Sequence, residues 1–420
     1  LKSKYFYGYN IVAGGFLIQA VCIGAMFTYG IFFKEFQEAF GWSRAVISGA
    51  SSLSFFIMGA VGVLAGSLND RIGPRLIVMV SGISLGLGYM FMYRLSAPWQ
   101  LYLLYGILVG IGFATHDVIT LSTVARWFDK RRGSMSGVVK VGTGFGQLVV
   151  PMTATALIAA FGWRIAYLII GAVALAAMLA VAQVMRRDPG QMGLLPDGGL
   201  RERQTAASGP AERGLNLKAA TRTLQFWIIC IAEFSVFFCM FTIIIHIVPH
   251  ARDQGLQPAA AAAVISTIGG VSMLGRVVMG AASDRIGGKR SLIACFIILL
   301  CSITWLQLAD SAWMLFVFAV VYGFAHGGFF TVMSPTVAEL FGTGSHGLLF
   351  GLVLFSGTLG GSIGPLLTGH IFDVTGSYRA AFLVLTSLVA MGFALIAFLR
   401  PLGVAGNVHP LQPQPAGQSK

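Results

Sequence analysis

The sequence predicts an all-α membrane protein of twelve transmembrane helices, arranged as two pseudo-symmetric six-helix halves with both termini cytoplasmic. Three observations carry that expectation. Hydrophobic residues make up 56% of the 420 and charged residues 10%, far from the balance of an ordinary soluble domain. Apolar runs long enough to cross a hydrocarbon core of roughly 30 Å recur about twelve times along the chain. A loop motif, G-x-x-x-D-R-I-G-x-[KR], occurs at 66–75 and again at 280–289, an offset of 214 residues that marks an internal duplication.

The first apolar stretch, 9–33, lacks a small-residue cleavage site, so helix 1 rather than a cleavable signal peptide is expected there. The chain opens on Leu rather than Met and reads as trimmed or partial. Helix 2 follows over 45–68, then the loop GSLNDRIGPRL, helix 3 to about 93 and helix 4 over 100–124. The basic loop ARWFDKRRGSMSG leads into helix 5, which carries the glycine-rich GTGFGQ, and helix 6 ends near 185. Residues 186–222 are polar, rich in Gly, Pro and Arg, and show no apolar periodicity. They read as a cytoplasmic linker between a first half at 1–185 and a second at 223–400. Helix 7 is expected over 226–248, helix 8 just before the second copy of the loop, and helices 9 to 12 over 292–308, 312–337, 348–372 and 380–399. The tail at 401–420, rich in Pro and Gln, reads as disordered. Parallel halves related by an axis along the membrane normal form a recurrent transporter plan, with the substrate site near the midplane between them.

A net charge of +13 would suit a nucleic-acid partner, but the placement of the charge argues against one. With the termini inside, about 20 of the 28 Lys and Arg fall in cytoplasmic segments and about 6 in outer loops, which is the positive-inside pattern. The remaining two, Lys140 and Arg276, lie within the membrane. Cys22, Cys230, Cys239, Cys295 and Cys301 sit in apolar spans without metal-type pairing and are expected to be packing residues. No strand precedes GTGFGQ, so it is not a dinucleotide loop. With no nucleophile-base pair or metal-ligand cluster in the sequence, neither enzyme activity nor a cofactor or metal is expected.

Arg276 precedes Asp284, which marks the end of helix 8, by eight residues. At about 1.5 Å per residue its guanidinium lies roughly 12 Å into the membrane. A charge at that depth is costly and points to function by default. Eight residues before Asp70, in the first copy of the repeat, stands Gly62. A charge in one half opposite a small residue in the other suits a specialised site, and a guanidinium can hold a carboxylate through two parallel hydrogen bonds. The structural alternative is an arginine that bonds helix carbonyls or a fixed carboxylate. Asp117 on helix 4 and Lys140 on helix 5 lie at similar depth, and two readings stand for them. They form a buried pair bracing neighbouring helices, or Asp117 carries a proton under the influence of Lys140 or a bound anion. His116 is adjacent but about 100° around a straight helix, so both need not face a pathway. On helix 7, Glu233 and His246 lie roughly 220° apart around a straight helix, so one of them at most is expected to face inward. Glu233 reads first as a packing residue and second as a proton site. His246, near the outer mouth, reads as a gate, a proton relay or a structural histidine.

Gly66, Asp70, Arg71, Gly73 and Arg75, echoed by Gly280, Asp284, Arg285, Gly287, Lys289 and Arg290, resemble the signature loop of the major facilitator superfamily. The resemblance implies that fold, and implies that Asp70, Arg71, Arg75, Asp284 and Arg285 hold cytoplasmic helix ends together as conformational gates that latch the outward-open state. RWFDKRRG, RRDPGQMGLLPDG, TLQFW, HIVPHARDQG and GHIFDVTGSY are similar to segments of the monocarboxylate transporter and oxalate/formate antiporter group. That narrower resemblance implies an anion-binding role for Arg276 and pocket positions for Phe27, Asp117, His326 and Phe330, the last two sharing a helix 10 face at i, i+4 spacing. Core packing is the alternative for His326 and Phe330. The chain departs from the group at three positions. Phe27 and Ser272 stand where animal carriers have a lysine and an aspartate, and Val353 stands where the oxalate antiporter has a second lysine.

The expected function is secondary active transport of a lactate- or pyruvate-like monocarboxylate with a proton, by rocking of the two halves. Arg276, Phe27, His116, Asp117, Lys140, His326 and Phe330 are the candidate substrate contacts, and Asp117, His246 and Glu233 the candidate proton carriers. Exchange of dicarboxylates, with Arg276 and Lys140 sharing the charge, is the nearest rival, followed by a carboxylate sensor that does not transport. The partners expected are a small organic anion, protons and the lipid bilayer of the cell membrane, around a monomer.

Overall fold

In the computed structural model, which describes residues 6–198 and 214–400, twelve helices are long and apolar enough to cross a membrane. They are α1 Gly8–Phe40, α2 Arg44–Ile72, α3 Pro74–Phe91, α4 Pro98–Trp127, α5 Arg132–Phe161 and α6 Trp163–Val184 in the first half. The second half contains α7 Leu224–Asp253, α8 Pro258–Ile286, α9 Gly288–Leu306, α10 Ala312–Phe341, α11 His346–Thr375 and α12 Arg379–Phe398. Every expected helix is present. Several run beyond their apolar stretch, because hydropathy marks the part that needs lipid while backbone hydrogen bonding continues past it. Thus α1 continues through KEFQEAF until Gly41, at φ 66°, ends it, its N–H donating a hydrogen bond back to the Gln37 carbonyl.

Phe6 packs its ring on Phe128 at 5.5 Å, and the Arg400 carbonyl accepts from Gln225 Nε2 at 3.4 Å. Both ends of the described chain therefore lie at the same end of the bundle as the two repeated loops, called here the loop end. Part of the expected linker is ordered there. Asp197 accepts the Asp129 and Lys130 amides at 3.0 and 2.8 Å, tying the linker's start to the first half, and the Leu215 amide donates to the Phe341 carbonyl of the second half at 2.8 Å. The rest of the linker, 199–213, and the expected disordered tail, 401–420, lie outside the described residues. Cys22, Cys230, Cys239 and Cys295 are buried as expected of packing residues, whereas Cys301 is exposed on the outside of α9.

The duplication is visible in the backbone. Gly73 and Gly287, at φ 85° and 84°, each pass directly from one helix into the next, a conformation that L side chains rarely adopt. Asp70 at the end of α2 accepts the Gly347 and Leu348 amides of α11, both at 2.9 Å. Asp284 at the end of α8 accepts the Gly133 and Ser134 amides of α5, at 2.5 and 2.8 Å. Neither α5 nor α11 has a side-chain cap of its own. Each is capped from the opposite half, where free amides and the helix dipole favour an anion. The backbones meet closely enough to exclude side chains: a Cβ at Gly66 would lie 2.1 Å from the Gly347 carbonyl oxygen, and one at Gly133 2.3 Å from that of Gly280. The loop end is therefore closed between the halves.

The two latches differ in their cations. Arg126 of α4 ion-pairs with Asp70, but the position 214 residues on is Leu340, and Asp284 has no such partner among the described residues. Of the gating candidates, Arg71 and Arg285 are exposed and their side chains make no bond across the halves among the described residues, while Arg75 bonds Gln183 within the first half. The aspartates cross between halves and these arginines do not. Gly66→Val would drive methyl groups into the Gly347 carbonyl. Spin labels on the loop ends of α2 and α11 are then expected to separate by several ångströms, and an unchanged distance distribution would show that the contact does not hold this end shut.

Candidate substrate site between the halves

α4 is not a continuous helix. It is π-helical over Tyr102–Val109, has one α-helical turn at Gly110–Phe113, and opens into a loose turn at 114–117 before Val118–Trp127. Irregular backbone at membrane depth is tolerated where it is buried in protein and satisfied by side chains. Here the His116 carbonyl accepts Gln19 Nε2 of α1 at 2.8 Å and also the Thr120 hydroxyl. The break brings His116 and Asp117 to the same side, with His116 Nε2 3.3 Å from Asp117 Oδ2. The 100° separation expected of a straight helix does not apply.

Asp117 Oδ1 accepts Lys140 Nζ of α5 at 2.6 Å and Gln19 Nε2 at 2.8 Å, and Gln19 Oε1 accepts the Thr143 hydroxyl at 3.0 Å. The Asp117–Lys140 pair thus lies within the first half, bracing α1, α4 and α5. It is charge-balanced and hydrogen-bonded, as a buried pair must be.

Arg276 on α8 is 2% exposed and sits where α8 crosses α5 of the other half. A Cβ at Gly144 of α5 would lie 3.1 Å from its Nη1, so a glycine there makes room for the guanidinium. Nε and Nη1 are buried without a hydrogen-bond partner, and among the described residues Arg276 makes no hydrogen bond or ion pair at all. The alternative of an arginine bonded to carbonyls or a fixed carboxylate is therefore not what the structure contains. The Ser272 hydroxyl donates to the Gly269 carbonyl of its own helix. A buried guanidinium with unfilled donors bears the full desolvation penalty, which a bound anion would relieve.

The remaining candidates divide into two groups. Phe330 lies under Lys140 Nζ, 4.9 Å from the ring centre, and packs against His326 at 5.1 Å and Phe237 at 5.2 Å. His326 Nδ1 is buried without a partner, and Glu233 is 3% exposed and makes no hydrogen bond among the described residues. Asp117, Lys140, Glu233, Arg276 and His326 form one chain of electrostatic interaction across the halves. Phe27 and His246 are not brought to this group. Phe27 is 46% exposed, two turns along α1 from Gln19. The His246 ring lies 3.0 Å by Nε2 from the Pro365 carbonyl, which can only accept, and 3.2 Å by Nδ1 from the Tyr378 hydroxyl. It ties α7 to α11 and to the start of α12 inside the second half.

Gln19, Thr143, Phe237 and Gly144 were not among the expected site residues. Applying the 214-residue offset to every polar residue, rather than to the loop alone, would have found the first two: Gln19 corresponds to Glu233, and Thr143 to Gly357. Lys140→Met leaves Asp117 buried and unpaired, with an expected loss of about 3–5 kcal/mol, read as a lower unfolding midpoint of the purified protein. Combining it with Asp117→Asn is expected to recover most of the loss, and an unchanged midpoint in the single variant would show that the pair does not brace the helices.

Comparison with known proteins agrees with this architecture. Residues 15–280 and 229–418 match the family model of the Major Facilitator Superfamily. Monocarboxylate transporter 13 of Rattus norvegicus is 28% identical over 398 residues, covering 94% of this chain and 89% of the relative. Monocarboxylate transporter 11 of Homo sapiens is 28% identical over 417 residues, covering 95% and 84%. Among solved structures, the E. coli fucose:proton symporter superposes with a TM-score of 0.73 at 14% identity, covering 95% of this chain and all of that one. The human organic anion transporter structure gives 0.70 at 17% identity, covering 93% and 99%. At these identities the solved structures speak for the fold alone. The chain belongs to the Major Facilitator Superfamily, as a multi-pass membrane transporter similar over nearly its whole length to the monocarboxylate transporter group.

Proposed function

We propose that the protein transports a small organic monocarboxylate of the lactate or pyruvate kind, in symport with a proton, as a monomer in the cell membrane with the loop end facing the cytoplasm. The observation that carries this reading is the buried guanidinium of Arg276, which has no protein acceptor among the described residues and stands between the two halves. Its fork matches one carboxylate. Among the described residues the other cation of the group, Lys140, is taken by Asp117. One free cation favours a monoanion, and the buried Val353 adds no second charge. Phe330, Phe237 and His326 supply an apolar wall suited to a short carbon chain. The names of the similar monocarboxylate transporters agree with this substrate class.

The positive-inside pattern supports a cytoplasmic loop end. Closure there supports an outward-facing arrangement. In the proposed cycle Asp70 and Asp284 release the amides of α11 and α5 as the halves rock, and the bound anion passes to the other side. Dicarboxylate exchange is the second reading, and it would require Lys140 to leave Asp117 for the substrate.

Arg276→Ala is expected to abolish saturable lactate uptake into proteoliposomes, and Arg276→Lys to retain a small fraction, since one ammonium cannot replace a bidentate fork. Unchanged uptake by Arg276→Ala would overturn the anion site. Lactate uptake by the unmodified protein is expected to rise with an inward proton gradient. Uptake indifferent to that gradient, together with counterflow driven by internal oxalate or malate, would favour the exchanger.

A further inference from the structure

We propose that Glu233 is the residue that takes up the proton when the carboxylate binds, and that Asp117 serves as a fixed structural charge. The inference rests on the transport reading above and assigns its coupling step to one side chain. The first support is the duplication. Glu233 on α7 occupies the place of Gln19 on α1, where the amide bonds Asp117, the His116 carbonyl and Thr143 within the first half. In the second half two of those side chains are replaced, Thr331 standing for Asp117 and Gly357 for Thr143. A Cβ at Gly357 would lie 3.0 Å from Glu233 Cγ, so the partner side chain has been replaced by space for the glutamate. An amide serves the packing at this position in one half. A carboxyl that is buried and, among the described residues, unbonded in the other half is not required by packing.

The second support is the charge count. Asp117 is bound to Lys140 and Gln19, and protonating it would strand the lysine. Lys140 and Arg276 contribute two positive charges, and Asp117 and Glu233, when both are ionised, two negative ones. The empty site is then balanced. A carboxylate arriving at Arg276 leaves the buried group with one net negative charge, which is removed if Glu233 takes a proton. The loaded, protonated state is again balanced, whereas either event alone leaves a net charge in a low-dielectric interior. One proton enters with one carboxylate, and both leave together on the other side.

The groups around Glu233 are few. Cys230 lies one turn away on α7, Asp117 and Lys140 face it from α4 and α5, and α11 presents Gly357. Arg276 of α8 and His326 of α10 interact with Lys140. Between residues 380 and 399, α12 carries no titratable side chain.

The test uses the purified full chain with lactate as the probe, recording bound lactate and protons taken up from a weakly buffered dye solution. The unmodified protein is expected to take up about one proton per lactate in the range where Glu233 is ionised in the empty protein. Glu233→Gln, which copies Gln19, is expected to bind lactate without proton uptake. In proteoliposomes it should keep lactate counterflow and lose pH-driven accumulation, falling from several-fold to equilibration. Glu233→Asp should restore coupling with a displaced pH profile. Proton uptake and accumulation intact in Glu233→Gln would overturn the assignment and pass it to Asp117 or His116. Failure of Glu233→Asp to restore coupling would also count against it. No lactate binding by the unmodified protein would instead overturn the transport reading.

Discussion

A positive charge buried without a partner among the described residues is the constraint on which the rest of this structure depends. Arg276 sits in a bundle of apolar helices with its donors unfilled, and such a group persists only where the surrounding fold is stable enough to carry its cost. The neighbouring charges are arranged so as not to quench it. Lys140 is engaged by Asp117, and Asp117 is further held by Gln19, so neither is free to move toward the guanidinium. The glycines of α5 bring the helices close enough to shield the charge from water without placing an acceptor beside it.

Closure of the loop end follows from a different use of charge. Asp70 and Asp284 each cap a helix of the opposite half, so the contact that shuts this end is also the contact that completes α5 and α11. Bonds from a carboxylate to backbone amides are directional and are lost together when the helices part. Such an interface has two states rather than a continuum. The duplication made this arrangement twice, and Arg126 then reinforced only one copy.

The twelve spans, the duplication and the depth of Arg276 were legible in the sequence because each depends on local or periodic features: hydropathy, a repeated loop and a rise per residue. The polar group around Asp117 was only partly legible. The break in α4 at 114–117 has no Gly or Pro of its own to announce it and depends on Gln19 from another helix to satisfy the freed carbonyl. The same holds for His246, whose inward or outward role was open until Pro365 and Tyr378 were seen to occupy both ring nitrogens.

The sequence by itself determined that this chain is a duplicated bundle of twelve helices with an arginine in one copy of the repeat where the other has a glycine, because apolar runs of this length satisfy their backbone hydrogen bonds in lipid as helices and the repeated loop marks the duplication. Only the tertiary structure decided which charges are paired. Asp117, Lys140, Glu233 and Arg276 come from four helices and both halves, and no spacing along the chain states which of them meet. Packing joined Asp117 to Lys140 and left Arg276 and Glu233 without partners among the described residues, because pairing depends on distances of a few ångströms set by helix crossings and by the break in α4.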